Sequence, residues 1–182
     1  MRDDLHLEPL TDSGALRMLA WREPRACRTT GQISLKRQYD WFTALDPSES
    51  LWYEVDKSYQ HVASVALQHI DRVNARAEVS LVVAPFARGG GVGEWAVDAI
   101  LRKAFGELGL ASVWGECYES SGAAGFWRRM VDARAPDAYG TVLPLTRAWQ
   151  GRLYGSYLFV FSCPGLSMAD GAPRAVPASS DG

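Results

Sequence analysis

The sequence is poor in the residues that build metal and disulfide sites. It has three cysteines, Cys27, Cys117 and Cys163, an odd number with no close pair, which argues against a disulfide scaffold or a cysteine-based zinc site. Histidine is as scarce: His6, His61 and His69. The last two are eight apart in a strand-like stretch, an even offset that puts them on one face but about 26 Å apart, so no metal centre is expected. No apolar run approaches the roughly 18 residues that a membrane span requires, and Met1-Arg2-Asp3-Asp4 leads into no apolar core. The expected location is cytoplasmic. Neither charge dominates, with 19 Lys+Arg against 21 Asp+Glu and a formal net charge of -2. A protein whose main task is gripping a nucleic-acid backbone needs clustered excess cations, so a small or neutral partner is expected instead.

What is present suits one folded unit. A chain of 182 residues with 47% hydrophobic and 22% charged content can bury roughly 70% of its unfolded surface. One composition shift occurs, at Cys163 to Gly182, where Pro, Gly, Ala and Ser dominate. The expected organisation is a domain over 1–162 and a disordered tail over 163–182. Leu5 to Leu10 alternates as a strand, and Thr11 or Asp12 caps a helix through Arg22. A second helix carries Ile33, Tyr39, Trp41, Phe42 and Leu45 and stops before Pro47. Leu51–Asp56 and Val62–Ile70 read as a hairpin, and Arg76–Val83 as a third strand. A glycine-rich turn and a helix over Glu94–Leu108 follow, with Gly109 as its stop. Ala111–Cys117 is a strand and Ala123–Met130 a short helix. Thr141–Ala148 and Leu153–Ser162 flank a turn at Gln150-Gly151. The order is mixed α+β. Leu153–Ser162 suits either an edge strand pairing across a homodimer or a strand filling the sheet.

The stretch Arg88-Gly89-Gly90-Gly91-Val92-Gly93 carries the chemistry. Consecutive glycines let backbone N–H groups turn inward, and a helix N-terminus behind them favours an anion. A P-loop would need Lys-Ser/Thr after the last glycine, where Glu94-Trp95 stands. A dinucleotide fold would need Gly-x-Gly-x-x-Gly near a first strand. The stretch instead matches Arg/Gln-x-x-Gly-x-Gly/Ala through Arg88, Gly91 and Gly93, and so resembles the signature of the GNAT acetyltransferase superfamily. Ala77 to Pro85 is similar to the strand before that family's turn, and Ser120-x-x-Ala123-x-x-Phe126-Trp127 to its later short helix. Trp21-Arg22-x-Pro24 and Ile33-Ser34-x4-Tyr39-x-Trp41-Phe42 resemble the amino-terminal helices of two branches. One acetylates ribosomal-protein amino termini; the other acetylates a nucleotide-linked 4-amino sugar.

The resemblance implies a central, mostly antiparallel twisted sheet of about six to seven strands with helices on both faces. It implies acetyl-CoA as co-substrate and no metal. The cofactor pyrophosphate would meet N–H groups of Arg88, Gly89, Gly90, Gly91, Val92 and Gly93. The pantetheine arm would lie beside Leu81, Val82 and Val83, with Ser120 and Trp127 close by. Direct attack by a neutral amine needs a base, for which Glu78 and Glu116 are alternatives. Tyr118 is a candidate acid, since relatives carry Tyr where Trp127 stands and Trp cannot protonate a thiolate. Trp21, Arg22, Tyr39 and Trp41 are acceptor candidates, with Arg25 and Arg28 near the same mouth. The acceptors implied are a nucleotide-linked amino sugar or another small amine first and a protein amino terminus second. A non-catalytic acyl-CoA-binding module is the alternative from another class.

Overall fold

The computed structural model describes residues 4–22, 33–149 and 152–165. Among them the chain forms β1 (Leu5–Pro9), α1 (Asp12–Trp21), α2 (Leu35–Thr43), β2 (Leu51–Lys57), β3 (Gln60–Asp71) and β4 (Arg76–Val83). Then come α3 (Val92–Arg102), β5 (Ser112–Tyr118), α4 (Gly122–Asp132), β6 (Ala138–Trp149) and β7 (Arg152–Ser162). The expected turn at Gln150-Gly151, the tail from 166 onward, and Pro24, Arg25, Cys27 and Arg28 lie outside the described residues. Cys163, the first residue of the expected tail, still donates its N–H to the Ala111 carbonyl at 2.9 Å.

The seven strands form one sheet in the order β1-β2-β3-β4-β5-β7-β6. Every pairing is antiparallel except β4 with β5. The sheet therefore matches the expected mixed α+β architecture. β7 sits between β5 and β6; of the two uses foreseen for it, it fills the sheet, and β6 is the edge.

Local chemistry explains the helix ends. Thr11 accepts the Gly14 N–H at 3.0 Å and caps α1, and Ser34 accepts the Arg37 N–H at 3.2 Å and caps α2, each satisfying an otherwise orphaned donor. The helix expected to run from Glu94 to Leu108 begins two residues earlier. It passes at Lys103–Glu107 into a π-helical turn closed by Leu108 N–H on the Lys103 carbonyl. Gly109, at φ +64°, ends it.

Helices cover both faces. On one, α3 and α4 pack on Val65, Leu67, Ala77, Val79, Val113 and Phe159. On the other, Met18 of α1 and Trp41 of α2 pack on Trp52, Ala66 and Val82. Period two then sorts β4: Ala77 and Val79 join the α3 side, and Glu78, Ser80 and Val82 face α1 and α2.

Close packing of α1 on the sheet depends on Gly14. A Cβ there would overlap Glu54 Oε1, an oxygen that accepts both the Thr11 N–H and its hydroxyl. Gly14→Ala is expected to cost about 1–3 kcal/mol through overpacking, lowering the melting temperature by roughly 3–10 °C. An unchanged thermal melt would refute this account of the α1 contact.

Candidate active site

The site begins where β4 and β5 part. Their parallel ladder holds only Arg76 with Ser112, Ala77 with Val113 and Glu78 with Trp114. Among the described residues no pair joins them further on. β4 continues to Val83 along β3, and β5 continues to Tyr118 along β7. Two strand edges thus open into a wedge whose apex is Glu78. An open edge presents backbone groups to an extended ligand, which can complete the ladder.

At the mouth of the wedge, β4 ends in Ala84, whose N–H bonds the Val62 carbonyl at 2.9 Å, and a short 3-10 turn at Pro85–Ala87. The glycine turn follows. Gly89 at φ +80° and Gly91 at φ +77° occupy the left-handed region that side chains rarely tolerate. Gly91 is the N-cap of α3 with no side-chain cap bond, so the first-turn amides depend on partners from outside the helix. A Cβ on Gly93 would lie 3.2 Å from the Phe126 ring and 3.5 Å from Val83, which keeps a larger residue out of the floor of the turn. Arg88 folds back on β4, its Nε donating to the Val83 carbonyl at 3.4 Å. A cleft of about 250 Å³ between α3 and α4, with Glu94, Asp98, Phe126 and Arg129 on its walls, adjoins the turn. Splayed edges, a left-handed glycine cradle and a helix N-terminus in line together fit a ligand with an extended arm and an anionic centre.

A family model for the GNAT acetyltransferase domain matches residues 4–124. The chain belongs to the GNAT acetyltransferase family. Such enzymes are acyltransferases that use acetyl-CoA as co-substrate, and the wedge and glycine turn suit that molecule. Solved structures agree in fold. A chimera of the Vibrio cholerae spermidine N-acetyltransferase SpeG with hSSAT superposes with a TM-score of 0.75 at 14% identity, covering 88% of this chain and 96% of that one. The V. cholerae SpeG spermidine/spermine N-acetyltransferase with manganese ions gives 0.72 at 14% identity, over 88% and 94%. An acetyltransferase from T. thermophilus gives 0.67 at 16%, over 87% and 86%. No curated protein matches the sequence. Among the described residues no helix is long and apolar enough to cross a membrane.

Within this GNAT fold the candidate residues fall into three groups. Glu78, Glu116 and Tyr118 share the sheet face toward α1 and α2, because Glu78 pairs with Trp114 and period two carries that side to Glu116 and Tyr118. Glu78 therefore stands at the apex of the wedge, and Glu116 and Tyr118 stand along its β5 lip. Glu78 is 1% exposed and Tyr118 5%; the Tyr118 ring packs edge-on against Tyr154 at 5.7 Å. Trp127 points elsewhere: it is buried and stacked on Phe159 at 4.3 Å, a core contact away from the wedge lips. Ser120 is exposed, and its neighbour Ser121 holds the N-cap position of α4, donating its hydroxyl to the Tyr118 carbonyl at 2.7 Å.

The acceptor candidates are partly gathered. Trp21 lies edge-on to His61 at 4.7 Å and to Phe86 at 6.3 Å. Arg22 sits over the Trp41 ring at 5.9 Å, and Trp41 packs edge-on against Trp52 at 5.0 Å. Tyr39, two residues from Trp41 on α2, is half exposed, since that offset turns it to another side of the helix.

Sequence reasoning missed a polar cluster on this face. In it, buried Glu54 receives Arg17 Nη2 at 3.1 Å, and His61 Nδ1 lies 3.2 Å from the same oxygen. Arg17 Nε donates to His61 Nδ1 at 3.2 Å, and His61 Nε2 meets Ser64 Oγ at 3.0 Å. The one sequence signal is a glutamate inside the apolar strand Leu51–Val55. Burial lowers the His61 pKa, and the Arg17 charge adds to this against Glu54, the Ala63 backbone and Asp56, which raise it. A neutral ring protonated at Nε2 donates to Ser64 Oγ and accepts from Arg17 Nε at Nδ1, which leaves Glu54 Oε2 to Arg17 Nη2. Burial alone would raise the Glu54 pKa, but the Thr11 bonds outweigh it, with His61 and Arg17 helping, and the net shift is downward.

Both shifts have the same consequence. The unfolded chain takes up protons at His61 near the ordinary value of 6.5, and at Glu54 near 4.5, before the folded protein does, so stability falls as the pH drops. The urea midpoint should decline as the pH falls below about 6.5, and further below about 4.5. The first decline should be smaller in His61→Gln. Equal slopes in the two proteins between about pH 7 and 5 would contradict this assignment of His61.

Proposed function

We propose that this GNAT enzyme acetylates the primary amine of a small molecule, with a nucleotide-linked amino sugar as the leading acceptor. Acetyl-CoA supplies an acetyl group activated as a thioester. The N–H groups from Arg88 to Gly93 hold its pyrophosphate, and the β4 edge at Leu81, Val82 and Val83 receives its arm. Ser120 and Trp127 belong to the proposed cofactor surround through α4, Trp127 by supporting that helix from the core. Glu78 accepts a proton from the incoming amine, which is mostly cationic near neutral pH. Tyr118, on the β5 lip, donates to the departing sulfur, and Glu116 on the same lip orients the amine.

The observation that carries this reading is the buried carboxylate of Glu78 at the apex of the wedge, on the face where α1 and α2 leave an aromatic and cationic border. Trp21, Arg22 and Trp41 there suit a base or sugar with an attached phosphate, through stacking and charge-assisted hydrogen bonds. Tyr39 would meet only the outer part of such a ligand. A second acceptor class, a polyamine, is favoured by the spermidine N-acetyltransferases that share the fold and by the second carboxylate, Glu116. A ribosomal-protein amino terminus is the third. Thiol release from acetyl-CoA, measured with a nucleotide-linked amino sugar, with spermidine and with an alanine-terminated peptide, tests the reading. Turnover with the amino sugar at the highest kcat/KM is expected. A preference for the peptide would overturn the small-molecule proposal, and no turnover with any amine would leave the acyl-CoA-binding module.

A further inference from the structure

We propose that His69 carries the proton from Glu78 to solvent, acting as a relay for a base that is sealed inside the sheet. The inference rests on the assignment of Glu78 as base. The Glu78 side chain is 2% exposed, whereas that of His69 is 73% exposed, and His69 Nδ1 lies 3.0 Å from Glu78 Oε2. One end of the pair is therefore at the apex of the wedge and the other is in water. A buried carboxylate that takes a proton at each turnover has to lose it again, and an imidazole can accept at one ring nitrogen while releasing from the other.

Ordinary strand pairing would not make this contact. Gln68 is the residue opposite Glu78, so the next residue of a regular strand would point to the other face of the sheet. The β3–β4 register shifts between Gln68 and Asp71, and His69 itself adopts φ +50°, a left-handed backbone that a histidine rarely takes within a strand. Such a bulge re-aims a side chain, and here it turns the ring back onto Glu78. The distorted segment is held on both sides. The Ile70 N–H bonds the Glu49 carbonyl at 2.9 Å, and Asp71 accepts from Asn74 N–H at 2.9 Å and pairs with Arg76 Nε at 3.4 Å.

The proton count closes. The acceptor ammonium gives one proton to the Glu78 carboxylate, and the freed nitrogen lone pair forms the C–N bond as the C–S bond breaks, its electron pair leaving on sulfur. The second nitrogen proton balances the sulfur as thiol. The proton on Glu78 passes from Oε2 to His69 Nδ1, and the opposite ring nitrogen releases one to water or buffer. His69 touches no substrate and acts only through Glu78.

The test compares the native enzyme, Glu78→Gln and His69→Ala with whichever amine the native enzyme turns over, at low buffer concentration and with rising imidazole. His69→Ala should lose kcat by about tenfold or more at low buffer, keep its KM for acetyl-CoA, and recover as imidazole replaces the missing relay. The native enzyme should be indifferent to imidazole. Without any substrate, the ¹⁵N signal of His69 Nδ1 should move in Glu78→Gln. A His69→Ala variant as fast as native at low buffer, while Glu78→Gln is slow, would overturn the relay alone. A loss that imidazole does not restore, or an unmoved ¹⁵N signal, would do the same and make His69 structural. A Glu78→Gln variant as fast as native would overturn the base assignment and the relay together.

Discussion

Replacing Glu78 by Gln is expected to lower kcat about 10²- to 10⁴-fold, the range over which a positioned base contributes. Thermal stabilisation by acetyl-CoA should stay at the native level. Gln keeps the volume and a hydrogen-bonding group at a position that is 1% exposed, so the fold of β4 and its ladders to β3 and β5 should survive, but the amide cannot take a proton from an ammonium. The cofactor turn begins ten residues later, at Arg88, and is held by backbone geometry that Glu78 does not touch. Thiol release under saturating acetyl-CoA reads the first effect and a melting curve reads the second. Near-native kcat would move the base to Glu116 on the β5 lip. A lost cofactor shift would mean that Glu78 shapes the wedge rather than the chemistry.

Acetyl-CoA should stabilise the native protein by about 2.7 kcal/mol at 100 times its Kd, and Gly91→Val should lose most of that increment at the same concentration. Gly91 caps α3 at φ +77°, where a Cβ costs roughly 1–2 kcal/mol and a β-branched side chain strains the backbone further. Relief of that strain rotates the N–H groups that face the proposed anion. The variant's own melting point should fall as well, so the comparison is between the shifts on adding ligand. Gly106→Ala supplies the control, because a Cβ there meets nothing within 4 Å. Equal acetyl-CoA shifts in Gly91→Val and the native protein would refute the turn as the cofactor's anchor.

How much can be read without coordinates varies with the range of the interaction involved. Arg76–Val83 is legible at its observed bounds, because the run is β-branched and ends at Ala84-Pro85. The facing of Glu78, Ser80 and Val82 follows from period two, and the structure agrees. The expectation that His61 and His69 lie on one face by simple parity fails in its reasoning. β3 is irregular near Val62 and again after Gln68, and these bulges, not an even offset, direct the two rings. The same irregularity hides the His69 contact with Glu78 from any reading by strand period. The place of Trp127 in a family pattern says nothing of its surroundings, which are set by Phe159, 32 residues away on β7.

The elements, their order, the capped start of α1, and the glycine turn between a strand and a helix are all written in the chain itself, whereas α2 starts two residues after the expected Ile33, behind a Ser34 cap. Periodicity, capping and backbone freedom act within a few residues of one another. Where β4 and β5 part, which strand is the edge, and which carboxylates share a face across the gap emerge only on folding. Those outcomes depend on pairings between segments more than thirty residues apart and on bulges such as the one that holds His69 at φ +50°. The Arg17–Glu54–His61 cluster is of that second kind: three residues from α1, β2 and β3 that become neighbours only because Gly14 lets the helix close on the sheet.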